Sequence, residues 1–222
     1  MHVCLTLDSD WAHPEVADHA LGLVRNAGVP CTYFATADQE VRAEADCEVA
    51  LHPNFADRDP DAELEELRAR FPEAVGLRPH RLDMPPARCA EAVRRAGLRW
   101  VSSRHDPDAR GFARWNGELP DAAIHWGDNL LFLRGERPDL DGFDPDAPGL
   151  LVYNFHPVHI YLNTASAGQY ERARPGYRDP AHLRVCRNES EYGVRDALLD
   201  LLSLCGRFRF TTLSDAAKEL AP

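Results

Sequence analysis

"LTLDSDWAHP", residues 5–14, closes an apolar run with two aspartates one residue apart. The run that starts at His2 is β-like. Along a strand, residues i and i+2 point to the same side, so Asp8 and Asp10 can face one point. Two carboxylates that close repel, and an unpaired buried carboxylate is costly. Either the pair lies in a solvated turn or something cationic sits between them.

Bulk composition bounds the answer. The chain has 222 residues, 44% of them hydrophobic, which suits a single domain over residues 1–222 with a sizeable core. With 25 basic and 36 acidic residues the formal charge is −11. That balance argues against a nucleic-acid partner or an anionic membrane surface. No apolar run reaches the length of a transmembrane helix, and residues 1–10 read as a strand rather than a signal sequence. A cytoplasmic protein is therefore expected. Cys4, Cys31, Cys47, Cys89, Cys186 and Cys205 are scattered with no C-x-x-C pair and read as reduced core thiols rather than a disulfide set or a zinc knuckle.

Outward from the opening strand, the chain alternates. Strands are expected over 2–7, 31–35, 47–52, 74–78, 98–102, 121–126, 149–155 and 207–213. Helices are expected over 14–27, 60–71, 86–96, 190–204 and 214–220. Pro14, Pro60 and Pro86 suit first helical turns, and Gly28 and Gly97 stand just past helix ends. Strand–helix alternation without a repeat indicates βαβ units and a mostly parallel sheet. Seven or eight strands in this length favour a barrel or near-barrel. Residues 160–189 show no clear period; their tyrosines and arginines read equally as a substrate-covering loop or a surface excursion.

The polar residues collect at strand ends. Asp8 and Asp10 end the first strand, His52 the third, Arg78 and His80 the fourth, and Ser102 to His105 the fifth. His125, Trp126 and Asp128 end the next, and His156 and His159 follow the most apolar strand. In a parallel barrel these ends share one face, which holds the active site. Any single histidine there is more often structural than a ligand. Together with the carboxylates they form the ligand set of zinc or a similar divalent metal, which would make the adjacent aspartates tolerable.

These stretches resemble the NodB-type polysaccharide deacetylases. "LTLDSDWA" is similar to the first family motif, "EVALHPNF" to the second, "GLRPHRL" to the third and "LLVYNFHPVHIYLN" to the last. "GVPCTYFAT", "AGLRWVSS" and "RFRFTTLSDAAKEL" are similar to family strands two, five and eight. The wording around HPVH and D-x-D-W is closest to a WbmS-like branch. The resemblance implies an α/β fold, a distorted single-domain (β/α)7–8 barrel, and metal-dependent removal of an N-acetyl group from an amino sugar. It implies Asp8 as general base, Asp10 and His52 as metal ligands and His156 as general acid. Arg78 would orient Asp8 or line the site. The family's second motif normally carries another histidine where Ala56 stands, and His80 is the replacement candidate, with His159 and His125 behind it.

The expected mechanism is hydrolysis of a C–N bond outside peptides, with a zinc-type ion and a small-molecule or carbohydrate substrate. Trp11, Trp126, His159 and Tyr161 are candidate substrate contacts beside Arg78, with ordinary packing as the alternative for the aromatics. A cytoplasmic setting favours a small or nucleotide-linked sugar, or a natural-product intermediate, over a wall polymer. Competing expectations are a non-catalytic glycan-binding barrel, glycosyl transfer through D-x-D, and hydrolysis of another amide or a cyclic ureide.

Overall fold

The structure is a computed structural model that describes residues 2–41, 46–140 and 148–221. The strands run β1 (His2–Asp8), β2 (Cys31–Ala35), β3 (Cys47–Leu51), β4 (Gly76–Leu77) and β5 (Trp100–Val101). They continue through β6 (Phe112–Trp115), β7 (Leu119–Ala122), β8 (Trp126–Gly127), β9 (Leu150–Phe155) and β10 (Arg209–Phe210). The helices are α1 (Pro14–Asn26), α2 (Pro60–Arg70), α3 (Pro86–Arg95), α4 (Asp128–Leu133) and α5 (Pro157–Leu162). They are followed by α6 (Ala167–Ala173), α7 (Pro180–Val185), α8 (Val194–Ser203) and α9 (Leu213–Leu220).

One sheet joins all the strands in the order β6-β7-β5-β4-β3-β2-β1-β9-β8, and β10 adds to the start of β1. Every pairing is parallel except that of β6 with β7. The central strands are apolar runs because both faces are covered. Val3 to Leu7 of β1 and all of β9 are buried. Helices surround the curled sheet, giving the distorted (β/α) barrel that the sequence predicts.

Closure depends on one short stretch. The sequence predicts a single strand over 121–126, but the structure divides it. β7 pairs with β5, whereas β8 pairs with β9 at the far end of the sheet. Between them Ile124 N–H donates to the Arg104 carbonyl (2.9 Å) and His125 N–H to the Val152 carbonyl (2.9 Å). Two consecutive residues thus touch both edges of the half-barrel.

Helix boundaries follow local chemistry. Pro14, Pro60 and Pro86 each open a helix, where the missing N–H costs nothing. Gly28 and Gly97 follow α1 and α3 at φ 64° and 66°, a region other residues avoid. The expected strands over 74–78, 98–102 and 207–213 shrink to two residues each. The aperiodic 160–189 segment is helical rather than irregular. It holds α6, α7 and the end of α5, each too short to show a period. Ser166 and Asp179 cap two of them by accepting backbone N–H groups. Gln169 ties the segment together, donating to the Leu162 and Cys186 carbonyls. All six cysteines are free; Cys4, Cys31, Cys47 and Cys89 are core residues as expected, but Cys186 is half-buried and Cys205 exposed. Among the described residues no helix is long and apolar enough to cross a membrane.

β4 and β5 are pressed together by Trp100, whose indole lies where a Cβ on Gly76 would stand, 2.0 Å away. Gly76→Ala should therefore overpack the core, costing about 1–3 kcal/mol. For a chain of this size each kcal/mol lowers Tm by roughly 2–4 °C. An unchanged melting curve would show that Trp100 is not a fixed wall.

Candidate active site

The C-terminal ends of β1, β3, β4 and β9 open into a cavity of about 680 Å³. At its floor lies a buried guanidinium. Arg78 is fully buried; its Nη1 faces Asp8 Oδ1 (2.8 Å), Thr6 Oγ1 (2.8 Å) and Asn154 Oδ1 (2.5 Å). Nε and Nη2 donate to Ser102 Oγ at 3.2 and 3.0 Å, and the group lies 4.2 Å from the centre of the Phe34 ring. Asn154 Nδ2 donates to the second Asp8 oxygen at 2.9 Å. Both oxygens of Asp8 are therefore held. Burial alone would raise its pKa, but Arg78, His52 and His156 together hold it below the usual carboxylate value.

Asp10 reaches the same space by a different route. β1 ends at Asp8, and Asp10 and Trp11 take left-handed φ values of 40° and 57°. Strand alternation does not extend to Asp10, so the turn aims its carboxylate. Oδ1 accepts from His52 Nε2 (3.1 Å) and His80 Nδ1 (2.8 Å), and Oδ2 from His156 Nε2 (2.9 Å). Burial opposes ionisation of Asp10, but His156 and the three imidazole hydrogen bonds hold its pKa well below the usual range.

Asp10, His52 and His80 each bring one ligand atom within 4.8 Å of the others. Two nitrogens and one oxygen match the donor set of a zinc-type cation. His52 Nδ1–H donates to the Arg78 carbonyl (2.9 Å), the outer hydrogen bond that directs Nε2 inward. Ala56 is exposed in the turn after His52 and does not line the cavity. His80 stands beside His52 instead, their ring centres 5.8 Å apart, with Trp11 edge-on to His80 at 4.8 Å.

His156 completes the cluster. Asp128, fully buried at the start of α4, accepts from its Nδ1 (2.5 Å) and its backbone N–H (2.7 Å). Burial would lower the His156 pKa, but Asp128 and Asp10 raise it well above 6.5. His52 behaves similarly: burial lowers its pKa, and Asp8 and Asp10 bring it to a net rise. His159 is the opposite case, since burial pushes its pKa down to about 4. The neutral ring donates from Nε2 to Asn129 Oδ1 (2.7 Å) and accepts at Nδ1 from the Thr164 hydroxyl (3.1 Å). That leaves the Asn129 amide nitrogen facing His156 Nε2 at 3.0 Å.

Of the residues singled out in the sequence, Asp8, Asp10, Trp11, His52, His80 and His156 line the cavity. Arg78 lies beneath it and His159 behind Asn129. Trp126 and Tyr161 lie outside the lining. Trp126 packs on Phe155 and donates to the Asp139 carbonyl, while the Tyr161 hydroxyl donates to Glu15. His125 Nδ1–H donates to the Pro107 carbonyl, away from the cavity. Sequence reasoning missed Asn154, Asn129 and the pairing of Asp128 with His156. Asn154 sits inside the apolar β9 run, and a polar residue there is the signal that was available. The long segment supplies Tyr170, Arg174 and Tyr177 to the wall.

The model of the WbmS-like polysaccharide deacetylase family matches residues 5–174. A solved protein of Bordetella bronchiseptica, assigned as a polysaccharide deacetylase involved in O-antigen biosynthesis, is 27% identical. The match covers 90% of this chain and 89% of that one, with a TM-score of 0.77. A peptidoglycan N-acetylglucosamine deacetylase matches at 14% identity, 97% and 87% coverage and a TM-score of 0.47. A family 4 acetyl xylan esterase from Clostridium thermocellum, solved with a cobalt ion, matches at 11% identity, 98% and 91% coverage and a TM-score of 0.47. No curated protein matches the sequence.

His156 and His52 both titrate above 6.5 in the folded chain. Just above that pH the folded state holds more protons than the unfolded one. Their stabilisation is therefore complete below about pH 6.5 and is lost as pH rises through the raised values. With divalent metal chelated, Tm should fall as pH rises from 6.5, and Asp128→Asn should flatten that fall. An identical slope in the variant would contradict the assigned cause.

Proposed function

Because the chain belongs to the WbmS-like branch of the NodB-type polysaccharide deacetylases, we propose that it is a metal-dependent hydrolase that removes an N-acetyl group from an amino sugar. The observation that carries this reading is the meeting of Asp10, His52 and His80 beside two differently tuned groups, Asp8 and His156. All the described strands share one sheet, which supports a single catalytic domain. A divalent cation, zinc by its donor set, would be held by Asp10, His52 and His80. When bound, it would polarise the amide carbonyl and bring the pKa of a neighbouring water toward about 7.

The chain's own groups handle the protons. Asp8 accepts the proton of the attacking water. Arg78 and Asn154 keep Asp8 ionised and fixed, at the cost of making it a weak base; it suits a water that is already acidified. His156 Nε2–H stands 4.0 Å from Asp8 and gives its proton to the departing amine nitrogen, a poor leaving group without it. Asp128 holds the other ring nitrogen, so the ring stays oriented and protonated until that transfer. Asn129, set by His159, offers amide N–H groups to a substrate oxygen beside His156. Trp11 and Tyr170 line the cavity and supply aromatic surface for a sugar ring.

Asp8→Asn keeps the shape and loses the proton acceptor. It should retain its metal and substrate affinity while amine release from an N-acetylated amino sugar falls by roughly 10²–10⁴. His156→Ala should fall similarly and lose the limb of the pH profile that requires a protonated group. Wild-type turnover by Asp8→Asn would overturn the assignment. A metal-loaded wild type that binds such sugars and releases no amine would point to a binding module.

A further inference from the structure

The cavity wall carries charge that amide cleavage does not use. Arg81 and Arg174 both line it, Arg81 from the turn after β4 and Arg174 from the 3₁₀ turn after α6. The acids of the lining are Asp8 and Asp10, already matched by Arg78 and the imidazoles. Arg81 is exposed and, among the described residues, makes no hydrogen bond or ion pair. That is unexpected in a chain with 36 acidic and 25 basic residues. Arg174 reaches Glu171 at 3.4 Å in an exposed i,i+3 pair, a contact that yields readily to a better partner.

Arg81 is also held in a costly shape. Arg81 and Leu82 both have left-handed φ values, 58° and 57°. Two successive non-glycine residues in that region persist only where the surroundings impose it, and such strain gathers at ligand-holding sites. Directly before this pair His80 meets Asp10, and Arg81 itself lies on the cavity wall. A different part of the lining, Ile124, Leu130 and Leu133, offers no charge, and Leu133 is 83% exposed. The wall therefore has one part that carries positive charge and another that carries none.

We propose that the substrate carries an anionic group, a carboxylate or a phosphate, which Arg81 and Arg174 hold while its amide lies at Asp10, His52 and His80. The guanidinium fork matches both anions in bidentate geometry. Amino sugars that fit are uronic acids and sugars joined to a phosphate. The inference rests on the hydrolase reading above and narrows its substrate class.

The test compares three probes: N-acetylglucosamine, its uronic acid, and UDP-N-acetylglucosamine. Affinities are measured by calorimetry on metal-loaded Asp8→Asn, whose turnover is slowed by roughly 10²–10⁴. At least one anionic probe should bind about 10-fold more tightly than the neutral sugar, about 1.4 kcal/mol. Adding Arg81→Ala and Arg174→Ala should erase that preference while metal content and circular dichroism stay unchanged. Preference for the uronic acid assigns a carboxylate, and preference for the nucleotide sugar assigns a phosphate. Equal affinities, no binding of any probe, or a preference that survives the double substitution overturns the proposal. Amine release by the wild type separates the two claims. Preference without amine release defeats the hydrolase reading and leaves the anion site. Equal turnover of neutral and anionic probes without preference defeats the anion site alone.

Discussion

A buried guanidinium lets two carboxylates share the end of one strand. Arg78 is wholly enclosed, and its charge is met by Asp8, with Thr6, Asn154 and Ser102 as further acceptors for its N–H groups. Removing one partner of such a pair strands the other, at a cost of about 3–5 kcal/mol. With Asp8 neutralised from below, Asp10 is free to gather imidazoles from above. The Arg78 carbonyl also fixes the His52 ring, so one residue sets both the base and a ligand.

The second constraint is backbone shape. Among the described residues six non-glycine residues have positive φ, and two of them are asparagines, which tolerate it. The other four are the pairs Asp10–Trp11 and Arg81–Leu82, both in the cavity wall. One pair turns the second carboxylate back over the first. The other turns the chain directly after His80, which meets that carboxylate. The edge contact between Trp11 and His80 joins the two turns. Strain of this kind, of order 1–3 kcal/mol per residue, is borne where it assembles a site.

Much of this was legible in the sequence. Prolines and glycines marked α1, α2 and α3 closely, and the apolar runs marked β1, β2, β3 and β9. The strand-end residues Asp8, Asp10, His52, His80 and His156 meet because a parallel sheet carries its C-terminal ends to one rim. The β6–β7 hairpin was missed although Asn116-Gly117 turns it, both at positive φ, which is a strong hairpin signal. The helices of the long segment escaped because six or seven residues cannot establish a period. Asp128, Asn129 and Asn154 act in the site through partners 27 to 148 positions away, and spacing along one chain does not reveal such pairs. Trp126 and Tyr161 show the converse: a promising residue type beside a site can be turned into ordinary packing.

The account turns on His80 as the third ligand, in the absence of a histidine at position 56. The most direct measurement is the metal content of purified wild type and of His80→Ala, by elemental analysis after dialysis against trace divalent metal. The account predicts about one divalent ion per chain in the wild type and close to none in the variant, with unchanged circular dichroism. A fully loaded His80→Ala would contradict it.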